Sequence, residues 1–140
     1  VLRLPATLAG YATACLSGQR LNISVSTMHP GESSLLLGKS KPLQIHPHPT
    51  IHAQLVTGTS DEITFMDDIR ARLNEMKITA KLVCGKRRAL KDDQHTINGF
   101  SLVIHDLKPE ASLQLQYAGL GEERHYGCGI FVPHKVIAGL

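Results

Sequence analysis

The chain has 140 residues, 42% of them hydrophobic, with a formal net charge of +3 and a pI near 8.9. That is the size of one domain or two small ones, apolar enough to bury a core and too mildly basic to demand a nucleic-acid partner on charge alone. No apolar run approaches the ~20 residues a membrane helix needs, so no membrane partner is expected.

The first five residues, Val1-Leu-Arg-Leu-Pro5, alternate like a strand end and lack the charged start and apolar block of a signal peptide. The absence of an initiator Met there suggests a fragment, or a chain whose beginning is not represented. Cys15, Cys84 and Cys128 are odd in number and widely spaced. They form neither a disulfide framework nor a zinc pattern, which fits a reducing cytoplasm.

Pro5 can open a helix, because its missing N–H is not needed at that position. Leu8, Tyr11, Ala12, Cys15 and Leu16 carry helical spacing over 6–16, and Gly18 ends it. Leu21 to Val25 alternates as a strand, His29-Pro-Gly31 signals a turn, and Leu35-Leu-Leu37 is a returning strand. Lys41 to Pro49 holds three prolines and reads as a linker. His46, His48 and His52 follow one another there. A metal site on them is thinly supported, with no carboxylate or cysteine nearby, and exposed linker histidines are the plainer reading. No metal and no cofactor are expected.

From Ile51 the pattern sharpens. Residues 51–57 alternate as a strand, with Ile51, Ala53 and Leu55 on one face. Thr59-x-x-Glu62 has capping-box spacing ahead of a helix over 60–76, whose apolar face is Ile63, Met66, Ile69, Leu73 and Met76. Ala80, Leu82 and Cys84 alternate into Gly85-Lys-Arg-Arg88. Asp92 to His95 is a hairpin tip, and Phe100, Leu102 and Ile104 return as a strand. Cys84 and Cys128 read as core residues, and His95 and His105 as surface or satisfied sheet residues. Pro109 opens a second helix with Leu113, Tyr117 and Leu120 as its stripe. Ile130 to Val132 is the last strand.

The order β-α-β-β-α-β is the split βαβ arrangement. The expected fold class is α+β: tandem ferredoxin-like (RRM-like) units, antiparallel sheets with helices on one face, the first unit truncated. Residues 1–45 are expected to be the back half of an N-terminal unit, and 46–140 a complete C-terminal unit.

Two features point toward an anionic partner. Between Lys77 and Lys91 there are six basic residues and no acidic one, Lys86, Arg87 and Arg88 among them. A local basic stripe suits a polyanion, although a solvated hairpin would look the same. The glycine-rich loop 119–129 has Gly119, Gly121, Gly127 and Gly129 around Arg124, His125 and Tyr126. Successive backbone N–H groups in such a loop can form an anion-binding nest, with Arg and His adding charge. The alternative is a Gly-rich turn between helix and strand.

The run Gly-Leu-Gly-x-x-Arg-x-x-Gly-Cys-Gly-x-Phe-x-Pro-His-Lys, Gly119 to Lys135, resembles the C-terminal motif of the CRISPR-associated repeat-processing endoribonucleases. These belong to the RAMP superfamily and are the sixth CRISPR-associated protein family; the subtype first described in myxobacteria is the most similar. Val1 to Pro5, Ile51 to Val56, Asp61-Glu62 with Phe65, Val83 to Arg88 and Gly99 to Leu102 resemble the same subtype in the same order, so the likeness covers essentially the whole chain.

The resemblance implies an enzyme that processes CRISPR repeat RNA from precursor transcript to guide RNA without metal. The ribose 2′-OH would attack the adjacent phosphate, and the protein would stay on the guide hairpin with other subunits of a Cascade-like interference complex. The family's usual catalytic His lies on a helix that has no counterpart in this sequence, so a non-catalytic RNA-binding subunit is the alternative. The resemblance implies RNA contacts by Lys86, Arg87, Arg88, Gly119, Gly121, Arg124, Gly127, Gly129, His134 and Lys135. It leaves His125 and Tyr126 as the residues that would assist proton transfer or stack on a base.

Overall fold

The computed structural model describes residues 2–25, 31–91 and 94–136. The chain divides into two compact units, Val1–Gln44 and Ile45–Leu140. The fold is α+β with antiparallel sheets of the ferredoxin-like type. Among the described residues no helix is long and apolar enough to cross a membrane.

The first unit holds helix α1 (Ala6–Leu16), strand β1 (Arg20–Val25) and strand β2 (Gly31–Leu36), the two strands pairing antiparallel from Arg20↔Leu36. Pro5 caps α1 with extended backbone, and Gly18 follows its end at φ +74°. Leu2 to Pro5, expected as a strand end, pairs with no strand. Gly31 begins β2, while His29 and Pro30 of the expected turn lie outside the described residues.

The second unit runs β3 (Ile51–Thr57), α2 (Glu62–Glu75), β4 (Lys81–Lys91), β5 (Thr96–His105), α3 (Pro109–Ala118) and β6 (Val132–Pro133). Its sheet order is β4-β5-β3-β6, antiparallel throughout. Ile51, Ala53, Val56, Phe100, Leu102 and Ile104 form one buried face, and Phe65, Met66, Ile69 and Leu73 of α2 and Leu115 of α3 pack with them into a single core. Phe65 and Phe100 meet with ring centroids 4.9 Å apart. Burial of each such side chain contributes roughly 1.5–3 kcal/mol.

Both outer neighbours of β5 carry an irregularity at the same level. β3 pairs Ala53 with Leu102 and then Val56 with Phe100, and β4 pairs Cys84 with Leu102 and then Arg87 with Phe100. Each therefore has one residue more than β5 there, a β-bulge, and side-chain parity flips beyond it. The expected inward set Ile51, Ala53, Leu55 is thus corrected to Ile51, Ala53, Val56. Leu55 turns to the opposite face and packs with Ile97 and Cys128. The hairpin tip of β4 and β5 includes Asp92 and Asp93, which lie outside the described residues.

Three helix details depart from the periodicity. Asp61, not Thr59, caps α2, its carboxylate accepting the Thr64 N–H at 2.8 Å and the Thr64 hydroxyl at 2.7 Å. Those bonds hold the Asp61 carboxyl below its usual pKa, the backbone N–H contributing most. On α2, Phe65 takes the inward place expected of Ile63, which is 75% exposed.

On α3 the buried residues are Ser112, Leu115 and Gln116, while Tyr117 is exposed. Polar residues sit inward because they satisfy the proline-rich segment passing over them. The Ser112 hydroxyl donates to the His48 carbonyl at 2.7 Å and accepts the His48 N–H at 2.9 Å. Gln116 Nε2 donates to the His46 carbonyl at 2.9 Å. From Ile45 onward the segment expected as a linker is therefore bound to α3, because its backbone would otherwise be buried unpaired.

Ser112→Ala should lower the unfolding free energy by about 1–3 kcal/mol, since it strands a buried N–H and a buried carbonyl. Urea titration of the two proteins measures this, and equal midpoints would show that the clip contributes nothing.

Candidate nucleic-acid interface

The glycine-rich loop is built onto the outer edge of β3. Gly129 N–H donates to the Leu55 carbonyl at 2.7 Å and Glu122 N–H to Thr57 Oγ1 at 2.8 Å. Leu120 N–H donates to the Gly129 carbonyl at 3.2 Å, which closes the loop on itself. Gly129 has φ +66°, and a Cβ there would lie 1.9 Å from the Leu120 carbonyl oxygen. Gly127 also has positive φ, +85°, but faces open space. Just before Gly127, Arg124–Tyr126 forms one 3₁₀ turn.

This geometry redirects part of the expected phosphate nest. Gly119 N–H bonds to the Leu115 carbonyl, Gly127 N–H to the Arg124 carbonyl, and Gly129 N–H to Leu55. Those three amides hold the loop together and point at protein acceptors. A Cβ on Gly121 would meet Thr57 Oγ1 at 2.6 Å, so that glycine also serves a close approach. Arg124 Nη2 donates to the Tyr117 carbonyl at 3.2 Å, which puts its cation at the C-terminal end of α3, where a positive charge is favoured.

His125 and Tyr126 are the exposed ring side chains of the loop. Their rings lie 4.5 Å apart, and His95, from the end of the β4–β5 hairpin, lies 6.3 Å from Tyr126 with its plane tilted only 14°. Glu123, at φ +58°, reaches His95 Nε2 at 3.6 Å through one oxygen and His125 Nε2 at 3.6 Å through the other. Glu123 thereby ties the hairpin to the loop.

Lys86, Arg87 and Arg88 are exposed on β4. Among the described residues none of the three enters an ion pair, whereas Lys81 of the same stripe is held by Asp106 at 3.0 Å. Register puts Arg88 opposite Gly99 and Leu90 opposite Ile97. Opposed residues share a face, so Arg88 and Leu90 stand with Ile97, Leu55 and Cys128, on the side away from the helices. A cavity of about 400 Å³ lies there, lined by Gln54, Leu55, Arg87, Arg88, Leu90 and Tyr126 among others. The structure thus brings the basic strand and the glycine loop to one place.

His134 and Lys135 follow β6, both exposed. His134 N–H donates to the Thr50 carbonyl at 2.9 Å, and its ring lies 5.4 Å from that of His52. Burial pushes the His52 pKa down, and His134 and Arg88 push it the same way. His46 and His48 lie in the segment clipped to α3. Among the described residues no three His, Cys, Asp or Glu side chains gather as a metal site.

A comparison with known proteins turns this arrangement into an assignment. The family model described as "Cas6 Crispr" matches residues 1–136. The chain belongs to the Cas6 family. It is 32% identical over 132 residues to the "CRISPR-associated endonuclease Cas6" of Myxococcus xanthus (strain DK1622), with 91% of this chain and 51% of that protein covered. The chain therefore spans about half the length of that relative.

Within this Cas6 chain, sequence reading located Lys86 to Arg88, the loop and its tail. It did not single out Gln54 or Glu123, and took His52 for a linker histidine. The alternation of His52 and Gln54 with Ile51 and Ala53 places both off the helix-covered face, a signal available before the fold. Glu123 carried none, because its role depends on two histidines from different segments.

Gly129→Ala should collapse the loop and lower the melting temperature strongly, since backbone oxygen cannot move aside. Gly127→Ala should cost only about 1–2 kcal/mol, the left-handed backbone penalty alone. Differential scanning calorimetry compares them, and equal losses would mean that packing at Gly129 is not the constraint. His52 gives a second test. Its lowered pKa means that the unfolded chain binds more protons than the folded one below the ordinary value of 6.5. Stability should therefore fall as pH drops from about 7 to about 5. His52→Gln should flatten that dependence of the melting temperature, and an unchanged slope would contradict it.

Proposed function

We propose that this chain supplies the RNA-binding surface of an endoribonuclease that cuts CRISPR repeat RNA into guide RNAs. The observation that carries the reading is that Arg87 and Arg88, next to Lys86 and unpaired among the described residues, line one cavity with the glycine-rich loop in a chain of the Cas6 family. A-form RNA is recognised largely through its phosphates, 2′-OH groups and shape. Guanidinium and ammonium groups with no carboxylate partner among the described residues suit that surface. Lys135, exposed just after β6, is a further cation of this unit.

The chemistry proposed is attack of a ribose 2′-OH on the adjacent phosphorus. A base removes the 2′ proton, an acid protonates the departing 5′ oxygen, and cations stabilise the charge that develops on the phosphate. The products are a 2′,3′-cyclic phosphate and a 5′-OH, and no metal is required. His125 and Tyr126 are exposed ring side chains of the loop, able to meet a substrate. Arg124, Gly119, Gly121, Gly127 and Gly129 act in this reading by fixing the loop that presents them. The cut hairpin stays bound and joins other subunits of an interference complex. Binding without cleavage is the second reading, favoured by one observation: the amides of Gly119, Gly127 and Gly129 are already engaged within the loop.

Incubating the full-length protein with a cognate repeat hairpin in EDTA should give one cut with a cyclic phosphate end. Binding without a cut would select the second reading, and a strict metal requirement would overturn the first. Replacing Lys86, Arg87 and Arg88 by Ala should flatten the salt dependence of binding, each lost phosphate contact reducing the log–log slope by roughly 0.7–0.9. An unchanged slope would remove the β4 cations from the interface.

A further inference from the structure

We propose that the cavity between β4 and the glycine-rich loop takes one unpaired nucleotide of the RNA, its base against Tyr126 and its phosphate toward Arg88. The proposal rests on the RNA-binding reading above and adds a separate, single-stranded site to it. The cavity, about 400 Å³, is within the range of sites that hold small molecules and far too small for a helix.

Its lining is divided in the way a nucleotide is. The floor is apolar: Leu55 is 5% exposed, Cys128 is fully buried, and Ile97 packs beneath them. Leu90 and Ala89 continue that apolar surface along β4, and Leu90 is 44% exposed, an uncovered leucine beside three cations. Tyr126, 51% exposed, stands at the mouth with its ring oriented by His125 and His95. Gln54, on β3, offers a carboxamide that can both donate and accept, the pattern needed to read a base edge. Arg88 makes no ion pair among the described residues, which suits it to meet an anion there.

A paired base cannot use this site. In a duplex both faces of each base are covered by stacking, whereas an unpaired base presents a face to an aromatic ring. The site therefore separates two parts of one RNA: stem phosphates for Lys86 and its neighbours, and a single-stranded residue for the cavity.

Fluorescence anisotropy on the purified protein tests this with two kinds of labelled RNA, short single-stranded oligouridylate or oligoadenylate and a blunt duplex. Tyr126→Ala should weaken single-strand binding at least about fivefold more than duplex binding, the low end of what a base–aromatic stack contributes. Tyr126→Phe, which keeps the ring, should restore it. Gln54→Ala should change the ratio of uridylate to adenylate affinity. If Tyr126→Ala lowers both affinities equally, or neither, or if Tyr126→Phe fails to rescue, the nucleotide site is wrong while RNA binding stands. If the unmodified protein binds neither RNA, the functional reading falls and takes this site with it.

Discussion

The paired bulges beside β5 are the constraint on which the interface depends. Between Leu102 and Phe100 both flanking strands insert one residue, so the same strand presents different faces before and after that level. Before it, Ile51, Ala53, Leu82 and Cys84 serve the helix-covered core. After it, Leu55, Arg88 and Leu90 stand on the other side, where the glycine loop lies. Without the extra residue in β4, Arg88 and Leu90 would share the face of Cys84, and Arg87 would stand on the open side instead.

The loop exploits what the β3 bulge exposes. The Leu55 carbonyl, at the irregular pairing, accepts Gly129 N–H, and Thr57 Oγ1 accepts Glu122 N–H. Such close passage of backbone over backbone leaves no room for a Cβ at Gly129. The glycines therefore act first as a folding device. What they free for chemistry is side chain, not amide: His125 and Tyr126 are lifted onto a 3₁₀ turn with Glu123 bracing them against His95.

Charge is sorted by the same construction. Cations with a structural task are neutralised locally, as Lys81 is by Asp106, or placed at a helix end, as Arg124 is beneath Tyr117. Lys86, Arg87 and Arg88 have no such partner among the described residues. The chain belongs to the Cas6 family, and the small cavity lined by Arg87 and Arg88 lies against the glycine-rich loop.

The chain's own residues determined the element order, the α+β class, the α2 core face from Met66 to Leu73 and the basic stripe, because periodicity and composition are local properties. The Gly119–Lys135 motif likewise announced the family without coordinates. Only tertiary structure decided which carbonyls the loop amides meet, why Ser112 and Gln116 turn inward, and that Arg88, Gln54 and Tyr126 line one cavity. The reason is physical: a bulge is a mismatch between two strands, so neither strand's sequence shows it. A buried polar residue likewise finds its reason in a partner some sixty residues away, as Ser112 does in His48.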